Sequence, residues 1–248
     1  MKNFIVQSGN NMPLHSPLIP TPFVPYECKN NSTLFAICRV DEEVIRKILE
    51  PTPFEYVNDY MVISISDFSN CDKAQFMDSA MVISVRHKGS LGGYYIFEYE
   101  NNDAAIAAGR DLWGYPKKYA DITMSKEDHI IKGKASKDNV PIIQIECDLN
   151  SPIENLPDVQ TTPHLNIHMV PSPDSSDVFS KRIISRDTSP DFELHRKVYG
   201  TTKIKLQSSK TEPLSIFESI EVLGGGLIEG DFYATEENGW GKTIEVII

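Results

Sequence analysis

The sequence predicts an α+β fold that is predominantly antiparallel β, with many short strands and few helices. Apolar and polar residues alternate in five segments, as is typical of strands with one buried face: 60–66, 81–86, 93–99, 140–146 and 165–170. Only two segments have a helical pattern. So many short strands indicate a sheet that curls into a barrel.

The two predicted helices, 41–49 and 104–112, are short. Asp41 can cap the first helix because its side chain accepts hydrogen bonds from free N–H groups, and Pro51 prevents its continuation. A turn over residues 114–116 follows the second helix. It leads into extended backbone, because Pro116 fixes its own φ and favours extended geometry at the residue before it.

Two adjacent lysines, Lys117 and Lys118, follow this turn and are predicted to begin a strand. Successive side chains of a strand point to opposite faces, so only one of the two can enter a pocket. The apolar, glycine-containing stretch before them indicates burial. A buried ammonium group without a partner tends to lose its proton, and the neutral amine is a nucleophile toward carbonyl carbon. We therefore expect desolvation to lower the pKa of the buried lysine.

The run from Gly109-Arg110-Asp111 to Tyr115-Pro116-Lys117-Lys118 resembles the hallmark of the acetoacetate decarboxylase family. The resemblance covers most of the chain and also includes 17–25, 39–41, 102–106, 163–171 and 200–206. It implies a central, cone-like antiparallel β-barrel, open at one end to a pocket, with few helices outside it. We expect a single domain of this type over residues 1–248, because no composition shift or repeat divides the chain.

The resemblance also implies roles for individual residues. Lys117 would form a Schiff base with the substrate ketone, and Lys118 would lie beside it; desolvation or a cationic neighbour is the established means of activating this lysine in the family. Asp78 falls where the family has an active-site glutamate. A carboxylate there would orient the iminium or carry a proton, unless Asp78 is an ordinary aspartate between two strands.

Aromatic side chains are further candidates for contact with the substrate. Tyr115 belongs to the family motif. By strand alternation Tyr95, Phe97 and Tyr99 share one face, which is predicted to pack in the core. Tyr99 is the member of this set that could reach the mouth of the pocket.

Two pocket positions depart from the family pattern. The arginine and the second glutamate that the family would place in the pocket fall on Asn31 and Ile63. Asn31 lacks the charged, two-pronged donor that binds a carboxylate, and Ile63 carries no charge. The predicted nucleophile is therefore retained while the groups that direct decarboxylation are replaced.

The resemblance implies a Schiff-base lyase that converts acetoacetate or a related β-keto acid to a ketone and carbon dioxide. The replacements at Asn31 and Ile63 leave open an aldolase-dehydratase that uses the same iminium without decarboxylation. A non-enzymatic barrel that binds a small carbonyl compound is the third hypothesis. Neither a metal nor an organic cofactor is expected, because the iminium itself serves as the electron sink. His164 and His168 would lie too far apart on a strand to share one ion.

Charge and patterning limit the partners and the location. The net charge of −11 and the pI of about 5.0 argue against nucleic acid and anionic membranes. The expected partners are a small keto acid and further copies of the chain, because members of the family commonly form homo-oligomers. Segment 4–6 is too short for the core of a signal peptide, so a cytoplasmic location is expected. The cysteines are expected to be reduced thiols.

Overall fold

A 13-stranded sheet forms most of the fold in a computed structural model that describes residues 10–248, so segment 4–6 lies outside the described part. The strands are β1 Tyr26–Arg39, β2 Glu55–Phe68, β3 Phe76–His87, β4 Ser90–Glu100, β5 Lys117–Tyr119, β6 Asp121–Glu127, β7 Ile130–Lys137, β8 Val140–Asp148, β9 His164–Pro171, β10 Val178–Arg186, β11 Glu193–Leu206, β12 Glu221–Ala234 and β13 Lys242–Val246. The helices are α1 Glu42–Leu49 and α2 Asp103–Trp113. The five strands and two helices that the sequence pattern predicts are all present.

The sheet is mostly antiparallel. Its order is β13-β10-β9-β4-β3-β2-β1-β12-β11-β8-β7-β6, with β5 beside β4, and the parallel contacts join β4 to β5 and to β9. The sheet folds back on itself, so that β6 contacts β2 and β3. Within residues 10–248 no pairing joins the two ends, β13 and β6. The predicted mainly antiparallel fold is confirmed, whereas closure into a barrel is not.

The main core lies between the two halves of the folded sheet. Its fully buried side chains come from β1–β3 on one side and β7–β8 on the other, and include Leu34, Ile63, Ile65, Met81, Ile83, Ile131, Ile143 and Ile145. The two halves of the sheet approach each other closely at Gly133 of β7, where an added β-carbon would lie 2.9 Å from Ile65 Cδ1 of β2. Helix α1 covers one edge of this core with Ile45 and Leu49.

Helix α2 and the turn after it place the two lysines. The side chain of Asn102 caps α2 by accepting a hydrogen bond of 3.0 Å from Ala105 N. The helix ends at Gly114, whose φ of 72° lies in the left-handed region that favours glycine. The chain then enters β5, where Lys117 pairs with Glu98 and Lys118 with Tyr99. The prediction that the lysines begin a strand and point to opposite faces is confirmed.

A β-bulge in β4 changes which aromatic residues share a face. Met81 pairs with Phe97, but the next residue, Val82, pairs with Tyr95. The extra residue reverses the alternation. Phe97 and Tyr99 therefore pack against the core, whereas Tyr95 lies on the opposite face. The prediction that all three share one face is wrong.

Among residues 10–248, no helix combines the length and the apolar character that crossing a membrane requires.

Candidate active site

A cavity of about 610 Å³ lies on the face of the sheet opposite the main core. At its buried end the Lys117 side chain, 11% exposed, is surrounded by the carboxyl groups of Asp78, Glu98 and Glu100. The remaining walls near the lysine are aromatic. The Nζ atom of Lys117 lies 5.8 Å from the centre of the Phe76 ring and 5.2 Å from that of Tyr115.

Strand register brings the four charged groups together. Glu98 and Glu100 are two residues apart on β4 and so share a face. Asp78 of β3 is the direct partner of Glu100, and Lys117 of β5 is the partner of Glu98 on the other side. The three carboxyl groups lie within 4.8 Å of one another.

Lys117 bridges two of these carboxylates. Its Nζ donates a hydrogen bond to Glu100 Oε1 and lies 3.2 Å from Glu98 Oε1. The second oxygen of each acid, including Asp78 Oδ2, is buried and has no hydrogen-bond partner among the described residues. These oxygens can therefore carry a proton or accept a hydrogen bond from a bound molecule.

Burial and mutual repulsion make the carboxyl groups weak acids. Desolvation raises the pKa of Asp78 and of Glu98, and raises that of Glu100 to about 7. Lys117 lowers these pKa values in part, because its ammonium group favours the ionised form. The cluster therefore holds its protons to a higher pH than ordinary carboxyl groups do.

The pKa of Lys117 is shifted in the direction opposite to the one expected from the sequence. Burial alone lowers it, but the charges of Glu100, Glu98 and Asp78 outweigh burial and raise the net pKa above its ordinary value. The expectation that desolvation lowers the pKa of Lys117 is therefore wrong. It failed because two of the three acids, Glu98 and Glu100, were not recognised.

The sequence does contain a signal for these two acids. Glu98 and Glu100 are charged residues at a spacing of two within an otherwise aromatic and apolar strand, directly before the lysine motif. Charged side chains on one face of such a strand are rarely buried without a partner. That pattern predicts a cationic side chain facing them.

A second polar group lies on another wall of the cavity. His164 of β9 accepts or donates at both ring nitrogens: Nδ1 lies 2.5 Å from the hydroxyl of Tyr115, and Nε2 lies 3.2 Å from that of Tyr95. Desolvation and the nearby charges of Arg186 and Lys117 lower the pKa of His164 to about 3. The imidazole is therefore neutral over the physiological pH range.

Arg186 of β10 adds a fixed positive charge to this wall. Its Nε donates to Gly239 O and one terminal nitrogen donates to Tyr26 Oη, each at 2.8 Å. The guanidinium group also lies 4.0 Å from the centre of the Trp113 ring. The cavity therefore contains an arginine, although it is not at the chain position that the family pattern indicated.

The predicted site residues fall into two groups. Lys117, Asp78 and Tyr115 line the cavity. Lys118 points to the opposite face, where its Nζ lies 3.0 Å from Glu212 Oε2, and the hydroxyl of Tyr99 donates to the same carboxylate at 2.8 Å.

Neither of the two positions predicted as altered pocket contacts lines the cavity. Asn31 is buried beside a bulge in β1, where it pairs with Gly230. Ile63 is fully buried in the main core, because alternation along β2 turns Ser64 and Val62 toward the cavity instead. The lack of charge at Ile63 therefore has no direct bearing on the cavity.

The carboxyl cluster is also the place where a cation could bind. Three buried oxygen donors suit a hard metal ion, but the Lys117 ammonium group already lies between them. His164 and His168 do not share a site, since His168 Nε2 lies 2.9 Å from Asp111 O outside the cavity.

A family model described as acetoacetate decarboxylase (ADC) matches residues 11–240. The chain belongs to the acetoacetate decarboxylase family. An acetoacetate decarboxylase of Burkholderia mallei is 37% identical over 116 residues, which are 46% of this chain and 45% of that protein. The matched stretch thus spans about half the length of the curated relatives.

Solved structures show that the fold of the family extends over nearly the whole chain. An acetoacetate decarboxylase structure superposes with a TM-score of 0.83 at 19% identity, covering 97% of this chain and 96% of that one. An enduracididine biosynthesis enzyme, complexed with the condensation product of pyruvate and imidazole 4-carboxaldehyde, gives 0.74 at 14% identity, with 97% and 98% covered. Both structures therefore share the fold of this chain over nearly its whole length.

Proposed function

We propose that this chain is a Schiff-base-forming lyase that decarboxylates a β-keto acid at Lys117. The observation that carries the proposal is the position of the Lys117 amine, at the buried end of a cavity and in contact with Glu98 and Glu100. Membership of the family supports the same conclusion.

The carboxyl cluster can generate the nucleophile and stabilise the product of its attack. Glu100, with a pKa of about 7, can accept the ammonium proton of Lys117 and return it to the departing hydroxyl group as water forms. The resulting iminium retains the positive charge on the same nitrogen. The carboxylates that stabilise the ammonium group therefore also stabilise the iminium, so little electrostatic reorganisation is required.

Loss of carbon dioxide follows from the charge of the iminium. The electron pair of the bond to the carboxylate moves toward the iminium nitrogen, and a neutral enamine remains. The nearby acids disfavour a further negative charge on the substrate, so departure of neutral carbon dioxide relieves repulsion. A protonated Asp78 or Glu98 can then protonate the enamine carbon, and water releases the ketone.

The polar residues on another wall of the cavity, His164 and Arg186, support a second reaction. Aldol addition and dehydration need a proton donor and acceptor at the second substrate, and the hydrogen-bonded pair of His164 and Tyr115 can act there. Arg186 can bind the carboxylate of an α-keto acid. The enduracididine enzyme, with its pyruvate condensation product, is a relative in fold that supports this alternative.

The test compares products formed by the wild type, Lys117→Ala and Lys118→Ala. Acetoacetate is assayed for carbon dioxide release above its spontaneous rate, and pyruvate with an aromatic aldehyde is assayed for a condensation product. We expect carbon dioxide release by the wild type and by Lys118→Ala, and none by Lys117→Ala. A condensation product without carbon dioxide would favour the aldolase-dehydratase, and neither product would favour a carbonyl-binding protein.

The proposal needs no metal and no organic cofactor, because the iminium itself accepts the electron pair. The expected partners remain a small keto acid and other copies of the chain. Homo-oligomer formation is supported by exposed apolar side chains on neighbouring strands at one end of the sheet, among them Met169, Phe179 and Val246. Native mass spectrometry tests it directly.

A further inference from the structure

The cavity extends well beyond the atoms that would react. Its volume of about 610 Å³ equals that of about twenty water molecules in the liquid. It also lies within the range of about 300–1,000 Å³ that is typical for ligands of drug size. Acetoacetate, a four-carbon acid, would fill only the end beside Lys117.

Strands β1 and β2 line the cavity, and their direction defines an axis that leads away from Lys117. Three cross-strand pairs line it in succession: Thr33 with Ser66, Phe35 with Ser64, and Ile37 with Val62. The inner end is fixed because Ser66 also pairs with Asp78. From Ser66 to Val62 the strand advances about 13 Å. An extended chain of covalent bonds advances about 1.2 Å per bond, so this length accommodates about ten bonds.

Polarity decreases along this axis. At the inner end the hydroxyl groups satisfy each other, since Thr33 Oγ1 donates to Ser66 Oγ at 2.9 Å. Further out, Phe35, Ile37 and Val62 offer only carbon atoms, and the hydroxyl group of Ser64 is the one polar side-chain group in these two pairs. The segment 152–162 crosses the sheet here and adds Leu156 and Val159 as an apolar wall.

This wall is held in place at both ends. Ser84 Oγ donates to Gln160 O, and Thr201 N donates to Ser151 O, each at 2.8 Å. Gly224 leaves room for the segment, because an added β-carbon would lie 2.9 Å from Leu156 Cδ2. The exposed residues Asp158 and Lys197 also line the cavity, which marks this region as the mouth.

We infer that the substrate is a 3-oxo acid with a linear apolar substituent of about five to ten atoms, which lies along Phe35, Ile37 and Val62 with its ketone at Lys117. The inference rests on the proposed Schiff-base function and specifies its substrate class. The carboxyl cluster recognises the reacting end, and the apolar channel recognises the substituent.

The experiment measures kcat/KM for 3-oxobutanoate, 3-oxohexanoate and 3-oxooctanoate with the wild type and with Val62→Trp. Burial of each methylene is worth about threefold to fourfold in affinity, so we expect a rise of at least about 30-fold from the four-carbon to the eight-carbon acid. The Val62→Trp side chain fills the channel and should bring the ratio of kcat/KM for the eight-carbon acid to that for the four-carbon acid close to one. Val170→Trp, at an exposed site outside the cavity, is the matched control and should keep the rise.

A second readout separates this inference from the proposed reaction. Borohydride trapping of acetone and 2-heptanone reports occupation of the site without any loss of carbon dioxide. One outcome would support the channel without the decarboxylase: no acid is decarboxylated, but 2-heptanone is trapped at lower concentration than acetone. In that case Val62→Trp should remove the difference between the two ketones. A kcat/KM that is flat or falls with chain length, or a rise that persists in Val62→Trp, would overturn the inference.

Discussion

A β-carbon at position 109 would lie 2.3 Å from Lys117 Cε and 2.4 Å from its Cδ. Gly109 is buried on the inner face of α2, and its missing side chain is the space through which the lysine stem reaches the carboxyl cluster. Glycine within a helix is unfavourable by about 0.5–1 kcal/mol relative to alanine. The space that the Lys117 side chain needs accounts for a glycine at position 109.

Gly109→Ala should therefore impair catalysis without unfolding the protein. The added methyl group displaces the Lys117 amine by a distance on the order of 1 Å, which is enough to lower kcat by about 100-fold, while the higher helix propensity of alanine partly offsets the strain. Ala104→Ser, half-buried on the same helix and outside the cavity, is the control. The measurement is the rate of borohydride-trapped adduct formation beside a thermal unfolding curve. A trapping rate equal to that of the control would show that Gly109 does not set the lysine position.

Glu100→Gln should lower the pKa of Lys117. The amide preserves the shape of the side chain but removes one of the negative charges that hold the ammonium form, so a lower pKa and a larger neutral fraction of Lys117 are expected. The pH dependence of Lys117 acylation by a small active ester measures it. Glu55→Gln, at an exposed position on β2, is the control and should leave the pH profile of acylation unchanged. An unchanged profile in Glu100→Gln would show that the Glu100 carboxylate does not control the pKa of Lys117.

His164 should remain neutral in the folded protein down to acidic pH. Its folded pKa of about 3 lies below the ordinary value of 6.5, so between these values the unfolded chain binds a proton that the folded chain does not. Stability should therefore fall as pH decreases from 6.5 toward 3, and His164→Asn should remove this contribution. Imidazole NMR signals assigned to His164 should not shift between pH 7.5 and 5. A titration near pH 6.5 would contradict the buried hydrogen-bonded arrangement.

Tyr99→Phe should reduce stability rather than activity. The Tyr99 hydroxyl donates to Glu212, which is fully buried on the side of the sheet away from the cavity, and loss of a donor to a buried acceptor costs about 1–3 kcal/mol. Tyr119→Phe removes a similar hydrogen bond, to Asp121, from an exposed tyrosine and should have little effect. Urea denaturation gives both values. Equal stability of the two variants would mean that Lys118 alone satisfies Glu212.

The part of the site predicted from the sequence is the part encoded in one continuous segment. Lys117 and Tyr115 follow from the motif, the proline and strand alternation. Glu98 and Glu100 were missed because their approach to Lys117 depends on parallel pairing of β5 with β4 and on a bulge that local patterns do not show. His164 and Arg186 come from β9 and β10, and this pair of strands joins the rest of the site through the pairing of β9 with β4, which is distant in sequence.

The errors at Ile63 and Lys117 have the same origin. Ile63 was assigned to the pocket by position along the chain, but the register of β2 turns it into the core. The lowered lysine pKa was inferred from burial alone, and three acids contributed by two other strands reverse its direction. Sequence patterns thus predict the candidate lysine and the fold, while the electrostatic surroundings of that lysine depend on long-range pairing.

The central claim, that Lys117 is the nucleophile, is tested most directly by peptide mapping after reduction of the protein with sodium borohydride in the presence of acetoacetate. The account predicts one reduced adduct of the acetone-derived mass on the peptide containing Lys117, also formed by Lys118→Ala and absent from Lys117→Ala. An adduct on Lys118, or one that persists at full yield in Lys117→Ala, would contradict it.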